Sequence, residues 1–535
     1  MRRGIAYLLA LMLWFGNMSA CADTAIDLSY SRYGVSEKIA VVTVTDEVVN
    51  TVRAGIFGAN ASYIGGAQIY DEATGLFDEV MLQKLRDSGV TTLRIPGGTE
   101  GDFFLWQQTV GPVETRIPQI NPFADTDNGE DYLYDVRFGP DEWFDLCKRT
   151  GTALSIQLNA GNGTPEEAAA FVRYCLDSGV EIDDITVGNE VCMKGGEVFG
   201  VTVDKTPEEY ITFYQQVWEL MGEDVRRELA ERGIPFGCIG LPMSHALHEH
   251  RYWDRDVLSA IGKQTDFIDI HIGYSPYFTD NSNTNEQIVK CLLASADRVR
   301  KHLDVELSTI ERYAPDVKVA ISEHGPLRGL PYSAGSAGGI FLASFFHVVL
   351  AEEKVISADY LPLTNHPAAN NLLGHYEANG KHTYWDNVVT HVFHMYAAQI
   401  GRDVLNTQVT GAKTFSATPV GLMPGIRGVS EGDAAVYYNR VTGEGTLFLL
   451  NKAYKENTTF DVMLPFDVLE ITAVTELFTP NYTMRNDWQR PTLVQPTVCN
   501  EHCGQLADNR LSITTKPVSL VRIDFRTEPA THAAQ

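Results

Sequence analysis

Two glutamates stand at the ends of two β-prone runs. The run Ile185–Val187 is followed, after one glycine, by Asn189 and Glu190, and the run Val317–Ser322 is followed directly by Glu323. In a (β/α)8 barrel the side chains that meet substrate stand at the carboxyl ends of the strands. Two carboxyl groups placed in this way suit glycoside hydrolysis, in which one protonates the leaving oxygen and the other acts as nucleophile or base.

The separation of the two carboxyl groups sets the stereochemical outcome, and the sequence leaves that separation open. Retaining enzymes place the groups ~5–5.5 Å apart, whereas inverting enzymes need ~6.5–9.5 Å so that a water molecule fits between them. A lone glutamate after a buried strand is more often a surface acid at the start of a loop. The interpretation therefore depends on the rest of the chain.

The order of β-prone and helical segments predicts an α/β fold, a (β/α)8 TIM barrel with a C-terminal β-sandwich that also takes N-terminal strands. Lys38–Val44 is the N-terminal strand in this prediction. The predicted layout is a signal peptide at 1–22, N-terminal strands at 23–52, the catalytic barrel at 53–401, the sandwich at 402–526 and a disordered tail at 527–535. The eight predicted barrel strands are Gly55–Ala59, Thr91–Ile95, Ala153–Leu158, Ile185–Val187, Phe236–Leu241, Phe267–His271, Val317–Ser322 and Val355–Leu361.

Charge and the N-terminal segment limit the partners and the location. The chain of 535 residues carries a formal net charge of −27, which argues against nucleic acid as a partner because nucleic acid binding needs a basic surface. Two arginines precede the apolar segment Ile5–Phe15, which is too short to span a bilayer and is typical of an export signal. Cleavage before Cys21 would leave a lipid-anchored N-terminus, and cleavage after Ala22 would leave a soluble one. Both indicate export, as a periplasmic protein, an outer-membrane lipoprotein or a secreted protein.

The cysteines predict at most one disulfide. Cys499 and Cys503 lie close together in a polar, turn-rich stretch and form the predicted pair. A metal site that includes His502 is the alternative, but two nearby ligands without a second pair are weak evidence. No cluster with metal-ligand spacing lies near either glutamate, so we expect no metal and no cofactor. Five cysteines in barrel segments are predicted to be buried apolar side chains: Cys147, Cys175, Cys192, Cys238 and Cys291.

A series of motifs occurs along the barrel segment, from about Ile56 to Gly401. The motifs are Leu93-Arg94-Ile95-Pro96-Gly97-Gly98, Trp106, Gly111-Pro112, Arg116, Asp141–Phe144, Leu158–Ala168, Gly188-Asn189-Glu190 and Ile321-Ser322-Glu323-His324. In this order they resemble glycoside hydrolase family 51, the α-L-arabinofuranosidase family. The resemblance implies a retaining mechanism in clan A of the (β/α)8 glycosidases.

The resemblance also implies roles for individual residues. Glu323 would be the nucleophile and Glu190 the acid/base, and an ionised Glu323 nearby would favour the protonated form of Glu190. Arg94 would keep Glu323 ionised through a charge-assisted hydrogen bond, and Asn189 would bind the 2-hydroxyl of the sugar. His271 and Tyr274 would lie near the nucleophile, although the spacing between them is one residue longer than the usual family pattern, which leaves Tyr277 as the alternative.

Three further positions are candidates for sugar binding. The chain has Thr99 where family members commonly have Asn, and it has no Glu shortly after the first strand, where Asn60 is the nearest polar candidate. Trp106 lies in the long loop between Gly97 and Pro140, where it either stacks on a sugar ring or packs the loop onto the barrel.

The sequence therefore predicts an exported retaining glycoside hydrolase, most consistent with an α-L-arabinofuranosidase that acts on plant-type oligo- or polysaccharides. One alternative is a related enzyme of the same clan that acts on β-linked glycans, as an endoglucanase or β-xylosidase. An alternative of a different class is a non-catalytic carbohydrate-binding lipoprotein. The presence of both glutamates argues against this last alternative, because binding alone does not need two carboxylates.

Overall fold

A computed structural model describes residues 33–193, 197–242, 250–275, 282–326, 331–364, 370–378, 381–499, 505–507 and 509–528. The predicted signal segment, Cys21 and the alternative residue Tyr277 lie outside these ranges, as do His502, Cys503 and most of the predicted tail. Within the ranges, no helix combines the length and the apolar character needed to cross a bilayer.

The described chain contains 28 strands and nine α-helices in these ranges. In chain order the strands are β1 (Gly34–Thr51), β2 (Gly58–Asn60), β3 (Tyr70–Asp71), β4 (Leu76–Phe77), β5 (Thr92–Ile95), β6 (Gln119–Ile120), β7 (Leu133–Tyr134), β8 (Ala153–Leu158), β9 (Ile182–Val187), β10 (Glu197–Val198), β11 (Val201–Thr202), β12 (Phe236–Ile239), β13 (Phe267–Tyr274), β14 (Lys318–Gly325), β15 (Val355–Tyr360), β16 (Leu373–Ala378), β17 (Lys381–Asp386), β18 (Asp403–Thr410), β19 (Thr414–Ala417), β20 (Ile426–Ser430), β21 (Gly432–Asn439), β22 (Glu444–Asn451), β23 (Glu456–Met463), β24 (Val468–Leu477), β25 (Thr497–Val498), β26 (Gln505–Ala507), β27 (Arg510–Thr515) and β28 (Ser519–Thr527). The α-helices are α1 (Glu79–Ser88), α2 (Pro140–Thr150), α3 (Pro165–Asp177), α4 (Pro207–Arg232), α5 (Trp253–Ile261), α6 (Asn285–Leu293), α7 (Ser295–Tyr313), α8 (Ser336–Leu350) and α9 (Val388–Ala397).

Eight parallel strands close into a barrel in the order β2, β5, β8, β9, β12, β13, β14 and β15. Each strand pairs with its neighbours along the chain, so the predicted (β/α)8 barrel is confirmed. The strands are buried on both faces because helices cover the outside, and all six residues of β8 are buried. The first strand is predicted too early: Ala54–Phe57 form a 3-10 turn and the strand begins at Gly58.

Capping residues fix where the barrel helices begin and end. The Thr164 side chain accepts a hydrogen bond from the Glu167 backbone N–H, with Pro165 as the first residue of α3. Helix α4 begins at a capping box formed by Thr206 and Glu209 and ends before Gly233, whose φ is 67°. These caps satisfy backbone groups that have no partner within the helix. Each helix can therefore return the chain to the bottom of the barrel in a fixed position.

The long loop between Gly97 and Pro140 is locally ordered. It contains 3-10 turns at Thr99–Phe103, Trp106–Gln108, Val113–Thr115 and Thr126–Asn128, and β6 pairs with β7 within it. Its aromatic side chains pack against one another and against the barrel, as in the contact between Phe104 and Trp143, whose ring centroids are 5.1 Å apart. The loop therefore forms a compact cover at the carboxyl end of β5.

Ten strands form a second sheet in the order β25, β24, β28, β22, β21, β18, β1, β23, β27 and β26. Strands from its two halves share one apolar core, to which β23 contributes Phe460 and β28 contributes Phe525. This arrangement gives the predicted β-sandwich. The N-terminal strand β1 joins the sheet as predicted, because it pairs antiparallel with β18 and parallel with β23.

The five cysteines predicted to be buried in barrel segments are buried and unpaired. Burial raises the pKa of the Cys175 and Cys192 thiols well above the ordinary value, which keeps them protonated and unreactive at neutral pH. Cys499 is half-buried, and its predicted partner Cys503 lies outside the described residues.

Strand β1 tests how far the sandwich depends on the N-terminal segment. Val42 has no exposed surface and pairs with both Val409 and Val462. We expect Val42→Asp to lower the free energy of unfolding by about 4 kcal/mol or more, because it buries an unpaired carboxylate in the middle of the sheet. Val35→Asp on the same strand, where the side chain is 57% exposed, is the control. Equal denaturant midpoints for the two variants would show that β1 is not an integral strand.

Candidate active site

Glu323 lies inside strand β14, with only 6% of its surface exposed. Oε1 accepts a hydrogen bond from Arg94 Nη1 at 3.0 Å, and Oε2 accepts one from the Tyr274 hydroxyl at 2.5 Å. Burial alone would raise its pKa, but the charges of His271 and Arg94 and the hydrogen bonds from Tyr274 and Arg94 together lower it below the ordinary value. Glu323 is therefore an ionised carboxylate with both oxygens oriented.

Glu190 follows β9 on a tight turn. Gly188 has a φ of 88° and Glu190 itself a φ of 47°, a region that non-glycine residues seldom occupy. Asp102 Oδ1 accepts a hydrogen bond from the Asn189 N–H at 3.3 Å and so fixes the turn. About a quarter of the Glu190 side chain, 26%, is exposed, which leaves it the more accessible of the two glutamates.

The two glutamates approach each other closely across the mouth of the barrel. One oxygen of each and one ring nitrogen of His271 all lie within 4.8 Å of one another. This separation agrees with the ~5–5.5 Å of retaining glycosidases and falls short of the ~6.5–9.5 Å that inverting enzymes need.

Arg94, near the end of β5, connects three strand ends. Besides Glu323, Nη1 donates to Asn60 Oδ1 and Nη2 donates to Asn189 Oδ1, both at 2.8 Å. Burial opposes its charge, but Glu323 and two further barrel carboxylates raise the pKa of the guanidinium above its already high value. The bond to Asn189 Oδ1 orients that amide so that its NH2 group is free to donate to a sugar hydroxyl.

His271 lies between the two glutamates. Its Nδ1 is 2.7 Å from Glu190 Oε1 and 3.7 Å from Glu323 Oε2, and its Nε2 is 3.1 Å from the Ser322 hydroxyl. Ser322 in turn donates to Asp269 Oδ2 at 2.5 Å. Burial lowers the pKa of His271, but Glu323, Asp269 and Glu190 raise it to about 10. The ring is therefore a buried imidazolium that donates a proton on each side.

A β-bulge places Tyr274 against the nucleophile. His271 pairs with Glu323, whereas Tyr274 pairs with Gly325, so β13 uses one residue more than β14 over this step. Gly273 has a φ of 91° at this point, which a glycine adopts without steric cost. The bulge absorbs the extra residue that separates this chain from the family spacing, and Tyr274 reaches Glu323.

Two predicted sugar-binding residues, Asn60 and Trp106, make other contacts, and the role of Thr99 stays a prediction. The Asn60 amide oxygen accepts a hydrogen bond from Arg94, and its NH2 group donates to the Ser322 carbonyl at 2.7 Å. Asn60 therefore positions Arg94 and does not contact a sugar. The Trp106 indole donates to the Glu167 carbonyl and stacks on Phe171. Of the two alternatives for Trp106, the structure therefore shows packing. Thr99 is half-buried at the start of a 3-10 turn.

That turn carries two acids which the sequence analysis did not single out. Glu100 and Asp102 are both buried, and burial raises the pKa of each, to about 7 for Glu100. Asp102 positions the turn before Glu190, and Glu100 lies beside Glu323. Asp269 and Ser322 were also missed. Asp269 stands two residues before His271 and hence on the same face of the strand, a signal that was available in the sequence.

Glu190, His271 and Glu323 have the spacing of a metal-ligand group. An ion such as Zn²⁺ binds neutral imidazole and ionised carboxylates. The raised pKa of His271 means that a metal must first displace its proton, and the Arg94 charge opposes any second cation nearby. The geometry of the group therefore suits a divalent ion, but the positive charges of His271 and Arg94 oppose its binding.

We expect Zn²⁺ to act at this group as an inhibitor whose affinity rises about tenfold per pH unit between pH 6 and 8, because one proton leaves His271 on binding. Calorimetric titration and inhibition assays at several pH values measure this, and His271→Asn should abolish it. A chelator alone should leave turnover unchanged. Loss of turnover on chelation, with recovery on adding the ion, would contradict this view of the site.

The comparisons with known proteins agree with this geometry. A family model described as the alpha-L-arabinofuranosidase 1 domain matches residues 84–189. An intracellular exo-alpha-L-arabinofuranosidase of Bacteroides ovatus is 23% identical over 354 residues, which cover 58% of this chain and 64% of the relative. The chain thus spans 64% of the length of that relative. A probable alpha-L-arabinofuranosidase C of Aspergillus niger is 33% identical over 114 residues, which cover 20% of this chain and 21% of the relative.

Among solved structures, a family 51 alpha-L-arabinofuranosidase of Bifidobacterium longum superposes with a TM-score of 0.75 at 18% identity, covering 92% of this chain and all of the other. At that identity the superposition shows a common fold. Family model, relatives and fold agree with the order of the motifs. The resemblance to glycoside hydrolase family 51 is therefore confirmed, and the chain is α-L-arabinofuranosidase-like.

Proposed function

We propose that this protein is a retaining glycoside hydrolase that releases α-L-arabinofuranose from plant-type oligo- or polysaccharides. The observation that carries the proposal is the pair of Glu190 and Glu323, whose nearest oxygens lie within 4.8 Å of each other. Among glycoside hydrolases, two carboxyl groups this close are typical of the retaining, double-displacement mechanism. The named activity of the relatives supports the choice of sugar.

The environments of the two glutamates support the roles proposed for them. Arg94 and Tyr274 hold Glu323 as an anion inside the barrel, so Glu323 attacks the anomeric carbon and forms a glycosyl ester. Glu190 is the more exposed group, and it gives its proton to the leaving glycosidic oxygen as that bond breaks. Glu190 then takes a proton from the incoming water, whose oxygen attacks the anomeric carbon and releases Glu323.

His271 and Asn189 assist these steps. The imidazolium of His271 donates to Glu190 Oε1, which places the acid/base beside the nucleophile and stabilises the negative charge left after protonation of the leaving group. The free NH2 group of Asn189 donates to the 2-hydroxyl of the sugar, a contact that strengthens as charge develops at the neighbouring anomeric carbon.

We further propose that the protein is exported, and that a lipid on Cys21 can anchor it to a membrane. The arginines Arg2 and Arg3 before the apolar segment Ile5–Phe15 support export, and the Ser19-Ala20-Cys21 sequence supports lipidation. A polymeric substrate outside the cell agrees with both.

Substitution of each glutamate tests the mechanism. Glu323→Ala should abolish turnover of 4-nitrophenyl α-L-arabinofuranoside, and added azide should restore part of it as a glycosyl azide, because the anion replaces the missing nucleophile. Glu190→Ala should slow substrates with poor leaving groups far more than 4-nitrophenyl ones, since good leaving groups need no protonation. Proton NMR of the first product formed should show retention of configuration.

A panel of nitrophenyl glycosides separates this proposal from its alternatives. Faster cleavage of a β-glucoside or β-xyloside than of the arabinofuranoside would favour the clan member that acts on β-linked glycans. Sugar binding without turnover of any glycoside would favour the carbohydrate-binding lipoprotein. Near wild-type turnover by Glu323→Ala would show that the nucleophile is wrongly assigned.

The hydrogen bond from Tyr274 predicts a shift in the pH profile. The nucleophile works as an anion, and its pKa is held below the ordinary 4.5, so the acidic limb of kcat/KM should lie below pH 4.5 in the wild type. Tyr274→Phe removes a donor to the carboxylate, raises that pKa and should move the limb upward by about one pH unit. Tyr132→Phe, at a side chain that is 39% exposed, is the control. An unmoved limb in Tyr274→Phe would contradict the assigned roles.

A further inference from the structure

A third carboxyl group, that of Glu100, lies beside the nucleophile and is not used by the mechanism above. Glu100 is 8% exposed, close to the 6% of Glu323, so the two residues are buried to a similar extent. Among the described residues no Lys or Arg forms a salt bridge with Glu100. Ser62, in the loop after β2, holds it by a side-chain hydrogen bond.

The backbone at Gly98 explains how Glu100 and Glu323 face each other. A Cβ atom built on Gly98 would lie 3.3 Å from Glu100 Oε2 and 3.5 Å from Glu323 Oε1. The two carboxyl groups thus both face the position that a side chain at residue 98 would occupy, and glycine allows this close approach. Gly98 has a φ of 47°, a conformation that favours glycine.

Asp102 has a clear structural role, and Glu100 does not share it. Asp102 accepts the Asn189 N–H and so fixes the turn that carries Glu190. Glu100 accepts hydrogen bonds from the Ser62 hydroxyl and from its own backbone N–H, and it faces a second carboxylate; burial, together with Glu323, raises its pKa to about 7. A buried carboxyl group without a cation weakens a fold. Its remaining acceptor capacity is available to a hydroxyl group that enters the space beside Glu323.

We propose that Glu100 is a sugar-recognition residue, whose carboxyl group accepts a hydrogen bond from a hydroxyl of the sugar attacked by Glu323. This inference rests on the proposed glycosidase function. Asn189 serves the 2-hydroxyl, so Glu100 serves the 3-hydroxyl or the exocyclic 5-hydroxyl of an arabinofuranose.

Deoxygenated substrates test this contact directly. Glu100→Ala should lower kcat/KM for 4-nitrophenyl α-L-arabinofuranoside by up to about tenfold, the loss expected when one hydrogen bond to the sugar is removed. The same variant should lose little against the one deoxy analogue, at position 3 or 5, that lacks the hydroxyl in question. Glu114→Gln is the matched control, since Glu114 is an exposed acid on the same loop, and it should match the wild type on every substrate.

A stability measurement separates recognition from a structural role. Because folding raises the pKa of Glu100, the folded state binds more protons than the unfolded state between about pH 4.5 and pH 7, and stability falls as pH rises through that window. Glu100→Gln cannot ionise and should therefore keep or raise Tm at pH 8 relative to the wild type. A carboxylate that the fold requires would give a lower Tm at pH 8, and that result would overturn the proposal.

Equal loss of kcat/KM by Glu100→Ala on the parent and on every deoxy analogue would also overturn it, because Glu100 would then act through Glu323 and not on the sugar. If the wild type cleaves no arabinofuranoside, the proposed function fails separately, and the same comparison is made with the aryl glycoside that it cleaves best. If it cleaves none, calorimetry with L-arabinose replaces turnover. Binding lost in Glu100→Ala and kept in Glu114→Gln then supports the inference, and equal binding by both refutes it.

Discussion

The buried guanidinium of Arg94 sets the charge of the whole site. It is 1% exposed, and a cation without solvent is tolerated only when carboxylates and hydrogen-bond acceptors surround it. Glu323 supplies the nearest negative charge, and the amide oxygens of Asn60 and Asn189 supply the remaining acceptors. Protonation of Glu323 would leave Arg94 without its closest counter-charge. The ionised state of the nucleophile is thus a requirement of the folded barrel as much as of the chemistry.

A second cation, His271, divides the acids of the site into two groups. Glu323 and Asp269 have both Arg94 and His271 as nearby cations, and their pKa values are lowered in spite of burial. Glu100 and Asp102 are equally buried but form no salt bridge among the described residues, and burial raises their pKa values although the charge of Arg94 lowers them. Depth alone therefore does not determine which carboxyl groups ionise. The positions of two cations do, and both cations stand on barrel strands whose geometry the surrounding helices fix.

The sequence predicted the barrel strands well because each is a short apolar run between turn signals, and parallel buried strands carry that pattern over their full length. The ends were less predictable. Strands β13 and β14 continue through His271 and Glu323, since inward-facing polar residues at the mouth of a barrel still pair along the backbone. The bulge at Gly273 needed the partner strand to be seen, because register is a property of two segments. The pairing of β1 with β23 joins residues more than 400 positions apart.

Side chains in the site were harder to predict than strands, because the sequence places a residue at the mouth but not its direction. Asn60 turns toward Arg94 although it ends the barrel strand β2, and Trp106, in the loop after β5, turns toward α3. Glu100 was overlooked beside Thr99, the position at which this chain departs from the family. A 3-10 turn after two glycines lets the residue after Thr99 face the nucleophile, and neither hydrophobic period nor motif order encodes that rotation.

Several features of this site destabilise the fold and do not improve its packing. Glu190 holds a positive φ of 47°, which strains a residue with a long side chain. Glu100 keeps a carboxyl group buried beside another carboxylate, and His271 keeps a charged ring at 3% exposure. Apolar substitutes of similar volume would suit the barrel better at each position. All three residues lie close to Glu323. This is explained if a sugar ring binds beside Glu323, because the hydroxyl groups of the sugar then supply hydrogen-bond donors and acceptors to these buried polar groups.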